Sequence, residues 1–420
     1  MLAPTPSPAM DAVDDIATTA DYYNATNGTD PGGGTSVYCG AGLESFQSSY
    51  RAGHGIISLL VCLFGSVANG LNIAVLTRRE MASPTNAILT GLAVADLLVM
   101  LEYIPFALHM YLLIRPPSEK YSYPWTVFVL FHSNFAQVFH TISIWLTVTL
   151  AVWRYIAVAH PARNHEWCNM RTTVIAIFSG YVICPLLCIP VYLTFSIQSS
   201  VDAKTNATYY FVNLSDMGKF HNGLLKNINF WVYSVVIKLV PCAALTILSL
   251  RLIFALLETK RRRQQLSMGS SVHQALNGGA SGGGGGGKRK SSRRANKSQR
   301  LVEKEKQTDR TTKMLLAVLL LFLITEAPQG LLGLLSVLLG NQFFQECYVK
   351  LGDVMDILAL INSAINFMVY CCMSRQFRNT FNTLFRPRLL NAWTMVPQTN
   401  GHEDGNGHTV GVTMTQVTNV

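Results

Sequence analysis

The fold class that this sequence predicts is an all-α membrane protein: a bundle of seven transmembrane helices with a short eighth helix on the inner surface. Three observations predict it. Half of the 420 residues are hydrophobic and only 13% are charged, against about a quarter in soluble domains, and the mean hydropathy is +0.27. The apolar residues fall into runs of the roughly 20 residues that a bilayer requires. The charge is sorted by loop: Met1–Tyr50 carries Asp11, Asp14, Asp15, Asp21, Asp30 and Glu44 with no Lys or Arg, whereas the basic residues crowd between Thr259 and Met314. Topology explains that basic loop better than nucleic acid does, because long apolar spans flank it.

The spans follow in order. The first, Gly53 to Thr77, stops at Arg78-Arg79, a positive-inside signal. The second runs from Asn86 to Leu112 and the third from Trp125 to Val158, separated by a polar, proline-bearing outer loop. The fourth runs from Thr172 to Phe195 and is broken by Pro185 and Pro190. Ser196 to Asn227 reads as a polar outer loop, and the fifth span is Asn229 to Leu257 around Pro241. The sixth is Thr311 to Leu339, and the seventh Val349 to Cys372. After it, Phe377, Phe381 and Leu384 form one helical stripe beside Arg375 and Arg378, the pattern of a helix lying in the interface.

The expected organisation is therefore an extracellular tail over 1–51, the membrane domain over 52–388 and a cytoplasmic tail over 389–420. A basic loop over 258–310, with a glycine run at Gly282–Gly287, is expected to be disordered. Sequons stand at Asn24, Asn27, Asn206 and Asn213, all in segments that the span count places outside. The expected location is the plasma membrane, with the N-terminus extracellular. No nucleophile–base set, phosphate-binding glycine loop or metal-ligand cluster supports an enzyme. A transporter or channel is disfavoured by the lack of an internal repeat or interrupted helix pair.

Several residues in order carry a resemblance to the rhodopsin-like (class A) G-protein-coupled receptors over Gly53 to Arg388: Asn69, Leu92-Ala93-Val94-Ala95-Asp96, Trp125, Arg154-Tyr155 with Pro161, Pro241, Pro328, and Asn366 with Tyr370. Within that family the chain is most similar to the insect myosuppressin receptors, an FMRFamide-like group. That likeness rests on Trp153-Arg154-Tyr155, Thr325-Glu326-Ala327-Pro328-Gln329-Gly330 and Asn366-Phe367. The resemblance implies a receptor for an amidated Arg-Phe neuropeptide. It implies coupling to a heterotrimeric G protein of the inhibitory (Gi/o) class, with arrestin, receptor kinases and membrane lipid as further partners. Arg154, Tyr155 and Tyr370 are then expected to meet the G protein, with Trp153 beside them and Arg375 holding the membrane edge.

The departures from the family carry their own chemistry. Trp153 stands where the family has aspartate, and Thr308 where many receptors have an acid. Glu326 replaces a tryptophan and Phe367 a proline. Val129 stands where a cysteine is usual, and Ser196–Asn227 has none, which removes the common outer disulfide. Only Cys39 and Cys347 fall in outer segments, and an oxidising exterior favours pairing them; a Cys39–Cys347 bridge is expected. Cys371 and Cys372 are candidates for palmitoylation.

A peptide arginine needs a desolvated carboxylate. Glu102 and Asp356 are the first choices, with Asp353 near them and Glu326 deeper. Tyr103, Phe106 and Trp231 are candidates for an aromatic floor, and Gln137, His140 and Gln329 for polar contacts. Each could instead serve a satisfied interhelical contact, and His140 reads more readily as a packed core histidine. Lys238 either pairs with a carboxylate or snorkels. Asp96 lies deep in an apolar span and must face partners. The family places a sodium ion there, with groups that map onto Ser143, Asn362 and Asn366; the other reading is a hydrogen-bonded knot with water. No other cofactor is expected. The third span holds no acid, which argues against a biogenic amine as ligand; a same-fold receptor for a different peptide or small ligand is the remaining rival.

One prediction follows from Trp153. Without an aspartate beside Arg154, the resting state is held less firmly on the inner side. Agonist-independent signalling should therefore be higher in the wild type than in Trp153→Asp at matched surface expression; equal basal signalling refutes it.

Overall fold

The computed structural model describes residues 38–202, 206–277, 317 and 320–385. Asn24, Asn27, Thr308, the glycine run and the C-terminal tail lie outside these residues, as do the side chains of Asn366, Tyr370, Cys371 and Cys372.

Seven long helices form the bundle. α1 is Ala41–Leu76 and α2 is Pro84–Ala107, extended by a wide π-helical turn over Leu108–Leu112. α3 is Tyr123–Ala159; α4 is Met170–Leu187, carried on by Ile189–Thr194. α5 comprises Asp216–Trp231, a π-helical stretch Val232–Leu239 and Val240–Asn277. α6 is Leu320–Leu339 and α7 is Gly352–Met373. Among the described residues six helices, α1 to α6, are long and apolar enough to cross a membrane. α7, with 22 residues, has the length for it, and its Ser363 carbonyl accepts from Asn69 Nδ2 of α1 at 3.0 Å. α8, Arg375–Phe385, lies where the stripe predicts, with Phe377 buried and packed on Phe367 at 6.0 Å. The phenylalanine that replaces a helix-kinking proline thus anchors the interfacial helix.

Local signals set the ends. Ser83 caps α2 by accepting from Asn86 N at 3.2 Å, with Pro84 preset for the first turn. Asn169 caps α4 in the same way, accepting from Thr172 N at 2.9 Å. Gly340, at φ +83°, terminates α6 in the left-handed conformation that glycine adopts without strain.

Two boundaries differ from the hydropathy reading. α1 begins at Ala41, inside the segment expected as a tail over 1–51. Its outer turns are too polar to count as membrane span, yet Phe46 and Tyr50 stack at 5.9 Å and the Cys39–Cys347 disulfide holds their start. α5 continues to Asn277, into the loop expected to be disordered over 258–310; its Leu, Gln, Lys and Arg residues favour helix.

The outer segment after α4 is a two-stranded antiparallel hairpin rather than an irregular loop. β1 (Phe195–Val201) pairs with β2 (Thr208–Leu214), from Phe195 opposite Leu214 to Val201 opposite Thr208. The run Thr208-Tyr-Tyr-Phe-Val is rich in aromatic and β-branched residues, the strand formers. With no cysteine available, the hairpin docks through its main chain. Tyr210 N donates to Tyr121 O at 2.9 Å, and Thr126 Oγ1 of α3 donates to Tyr210 O at 3.0 Å. The expected bridge is present, with Cα atoms of Cys39 and Cys347 5.7 Å apart. Around it Tyr38 N donates to Glu346 Oε2 at 3.0 Å, and Lys350 pairs with Glu44.

The hairpin separates its two sequons. Asn206 sits exposed at the turn with φ +56°, a conformation that asparagine tolerates. Asn213 is 4% exposed and its Oδ1 accepts from Leu214 N at 2.7 Å. Asn206→Gln should therefore lose one glycan in a gel-shift assay on cell-expressed protein, and Asn213→Gln none; a shift for Asn213 would overturn this assignment.

Candidate functional site

Two clusters of charge lie within the ring of helices. The deeper is centred on Glu326 of α6, which is fully buried. Its carboxylate accepts from Lys238 Nζ of α5 at 2.5 Å and from Asn362 Nδ2 of α7 at 3.0 Å, and meets His140 Nε2 of α3 at 3.1 Å. Lys238 is fully buried too, so it pairs rather than snorkels. His140 belongs to this cluster as a core partner.

The shape of α5 places Lys238 there. Pro241 has no N–H, which deprives the Ile237 carbonyl of its ordinary partner, and the preceding turns widen over Val232–Leu239. In a regular α-helix, residues seven apart share a face. With more residues per turn, the same seven residues rotate the chain by about a third of a turn less, which leaves the two on different faces: Trp231 is 45% exposed while Lys238 is buried. Trp231, a candidate for the aromatic floor, therefore lies on a different face of α5 from Lys238.

The second cluster lies nearer the outer face. Glu102 of α2 is engaged by His132 Nδ1 of α3 at 2.6 and 2.8 Å, and both side chains are almost inaccessible. The His132 ring lies flat on Phe106, with centroids 4.0 Å apart, and edge-on to Tyr103. Tyr103 OH also meets His54 Nε2 of α1 at 3.1 Å. Tyr103 and Phe106 are therefore where an aromatic wall is expected. Asp353 of α7 accepts from Tyr111 OH at 2.8 Å. Gln329 is spent between helices: Oε1 accepts from Tyr233 OH at 3.2 Å, and Nε2 donates to Met355 O at 2.5 Å. Gln137 is half-buried on α3, one turn outward of His140.

Asp356 differs from the other acids. It is exposed, although it lies on a helix packed within the bundle, and no described residue gives it a hydrogen bond or an ion pair. The groups within its electrostatic reach come from several elements: His132 of α3, Lys238 and Tyr233 of α5, Tyr103 of α2, and Tyr348 of the turn before α7. A carboxylate surrounded in this way yet open to solvent lies in a water-accessible cleft inside the ring. Of the two first choices for a cationic ligand, Glu102 is already engaged by His132 and Asp356 has no partner among the described residues.

At the level of α2 and α3, Asp96 Oδ1 accepts from Ser143 Oγ at 2.8 Å. These two sodium candidates meet; Asn362, the third, donates its amide to Glu326 instead. On the inner side, Trp153 Nε1 donates to Thr173 Oγ1 of α4 at 2.9 Å. The tryptophan that replaces aspartate thus tethers α3 to α4, with Arg154 and Tyr155 half-buried beside it and Arg375 exposed on α8.

His132, Tyr111 and His54 were not singled out from sequence. The available signal was a histidine in an otherwise apolar outer half-span, facing a helix with one carboxylate in its own outer half.

Seven helices closing round a polar cleft, with an arginine at the inner end of the third and an interfacial helix after the seventh, define a serpentine membrane receptor rather than an enzyme. The chain belongs to the serpentine type 7TM GPCR chemoreceptor Srw family, whose pattern matches residues 56–277 and 288–388. It is 30% identical over 359 residues to the G-protein coupled receptor dmsr-1 of Caenorhabditis elegans, covering 82% of this chain and 70% of that protein. It is 27% identical over 340 residues to the sex peptide receptor of Drosophila melanogaster, covering 77% and 70%. With the FMRFamide receptor of the same fly it shares 22% over 357 residues, covering 80% and 54%.

The Glu102–His132 pair makes a testable demand. Removing one partner of a buried pair leaves the other uncompensated, at about 3 kcal/mol. Glu102→Gln and His132→Phe should each lower the thermal midpoint of the purified receptor, and the double variant should recover most of the loss. Strictly additive losses would show that the pair is not a unit.

Proposed function

We propose that this chain is a cell-surface receptor of the rhodopsin-like class for an amidated Arg-Phe neuropeptide, of myosuppressin-like type. The observation that carries the reading is Asp356, a carboxylate in a solvent-open cleft with no partner among the described residues. A guanidinium forms bidentate, charge-assisted bonds with such a group. The Phe106, Tyr103 and His132 rings supply the apolar wall that a terminal phenylalanine needs. The FMRFamide receptor among the relatives supports a ligand of this class, and the sex peptide receptor supports a peptide ligand. Peptide binding shifts a two-state bundle and opens an inner cavity at Arg154 for a heterotrimeric G protein, for which the inhibitory class is our reading. Arrestin and receptor kinases then follow, at the plasma membrane with the N-terminus outside. A sodium ion at Asp96 and Ser143 is part of the proposal. Asn69 Oδ1 and Ser363 Oγ, buried on α1 and α7 with no partner among the described residues, are further oxygens available to it.

The test is a panel of C-terminally amidated Arg-Phe peptides and their free acids on cells expressing the full chain, with cyclic AMP and calcium read together. One amidated peptide should act with high potency and its free acid should not. Asp356→Asn should weaken that potency by about 30- to 1,000-fold, the 2–4 kcal/mol of a severed buried charge pair, with surface expression unchanged. Silence across the panel at confirmed surface expression would overturn the ligand.

A further inference from the structure

The buried ammonium of Lys238 is held on one side only. Lys238 Nζ donates to Glu326 Oε2 at 2.5 Å, and its next contact is the Tyr233 ring, 5.4 Å to the centroid. An ammonium carries three donors, and no other described residue accepts one from it. Glu326 has the opposite balance, since Lys238, His140 and Asn362 all converge on its two oxygens. In this cluster the carboxylate is saturated and the ammonium is not. Outward of Lys238 lies Asp356, the carboxylate without a partner, close enough for each to feel the other's charge. Tyr233 stands within reach of both Glu326 and Asp356. Its hydroxyl is tied through Gln329 to the carbonyl of Met355, the residue before Asp356.

We propose that Lys238 is a positioning residue that reports the occupancy of Asp356 to the core, its ammonium being held by Glu326 from below and drawn by Asp356 from above. The proposal rests on Asp356 as the ligand's carboxylate. While Asp356 is empty, its charge pulls Lys238 away from Glu326. A ligand cation on Asp356 cancels that pull and adds a like charge, which seats Lys238 more firmly on Glu326. The low dielectric of the core magnifies the change. Because Lys238 is on α5 and Glu326 on α6, ligand binding tightens the tie between these two helices at mid-membrane. His140 of α3 faces the same carboxylate and Asp353 of α7 faces Asp356; both are fixed contributors that the comparison below cancels.

The experiment is a thermal-unfolding cycle on the full chain in detergent, without ligand. Asp356→Asn is introduced into the wild type, into Lys238→Arg, and into the charge-free pair Lys238→Met/Glu326→Gln. In the first two backgrounds the midpoint should come out a few degrees lower, relative to each unsubstituted parent, than in the third, because there the substitution removes the attraction of Asp356 for the cation, whereas in the third only relief from Asp353 remains. An equal shift in all three overturns the proposal, as does loss of the extra shift in Lys238→Arg, which keeps the charge. No peptide enters this cycle, so its failure is separate from failure of the ligand reading. A second readout uses the active peptide from the panel. The charge-free pair should bind it within about threefold of wild type, since contacts to Asp356 are intact, yet give less than half the maximal response per surface receptor. A full response per receptor would show a merely structural pair and overturn the proposal. Should the charge-free pair not reach the surface, Lys238→Gln takes its place in both measurements, with the same outcomes.

Discussion

Burying Lys238 and Glu326 together constrains the rest of the bundle. Withdrawing two charges from water is expensive, and their mutual attraction offsets that only with close geometry and further hydrogen bonds. Two such bonds come from His140 on α3 and Asn362 on α7, and the ring of Tyr233 on α5 itself adds a cation–π contact. Four helices must therefore arrive at one point with little tolerance. The wide turns of α5 make this possible by rotating Lys238 inward. Gly330 and Gly333 of α6 let α5 approach, since a methyl on Gly330 would stand 3.0 Å from Lys238 Cβ and one on Gly333 2.2 Å from Ser234 Oγ. An apolar core would tolerate many packings of these helices; a charged one of this kind admits few.

The outer face is organised by a different economy. A polar hairpin covers α3 through main-chain bonds, and the N-terminal turns of α1 are fastened to the segment before α7 by a disulfide, an ion pair and the edge contact of Tyr38 with Phe343. The fastening leaves the cleft at Asp356 open to water. Position and access are thus handled by separate elements: covalent and main-chain ties fix the rim, while free side chains line the cleft.

Much of this was legible in the sequence because membrane insertion imposes simple rules. Apolar runs and basic stops gave the spans, and the scarcity of outer cysteines gave the Cys39–Cys347 pair. The stripe of Phe377 and Phe381 gave α8. What hydropathy could not register were regular elements outside the bilayer: the first turns of α1, the hairpin, and α5 beyond Glu258. The candidate acids were legible as residues but not as charges in use. Glu102 and Asp356 look alike in sequence, and only the position of His132 shows that one carboxylate is engaged and the other is not. That Trp231 and Lys238 face different ways was illegible for a related reason, because the helical period changes over Val232–Leu239, ahead of Pro241.

The Cys39–Cys347 bridge spans 308 residues of sequence and so turns nearly the whole bundle into a macrocycle. Every outer segment between α2 and α6, the hairpin included, lies within the cycle. A protease that nicks any one of them releases nothing: both fragments stay joined at the rim and embedded in the bilayer. Only a reductant acting after the cut would separate them, which gives the joined rim a persistence that its individual loops do not have.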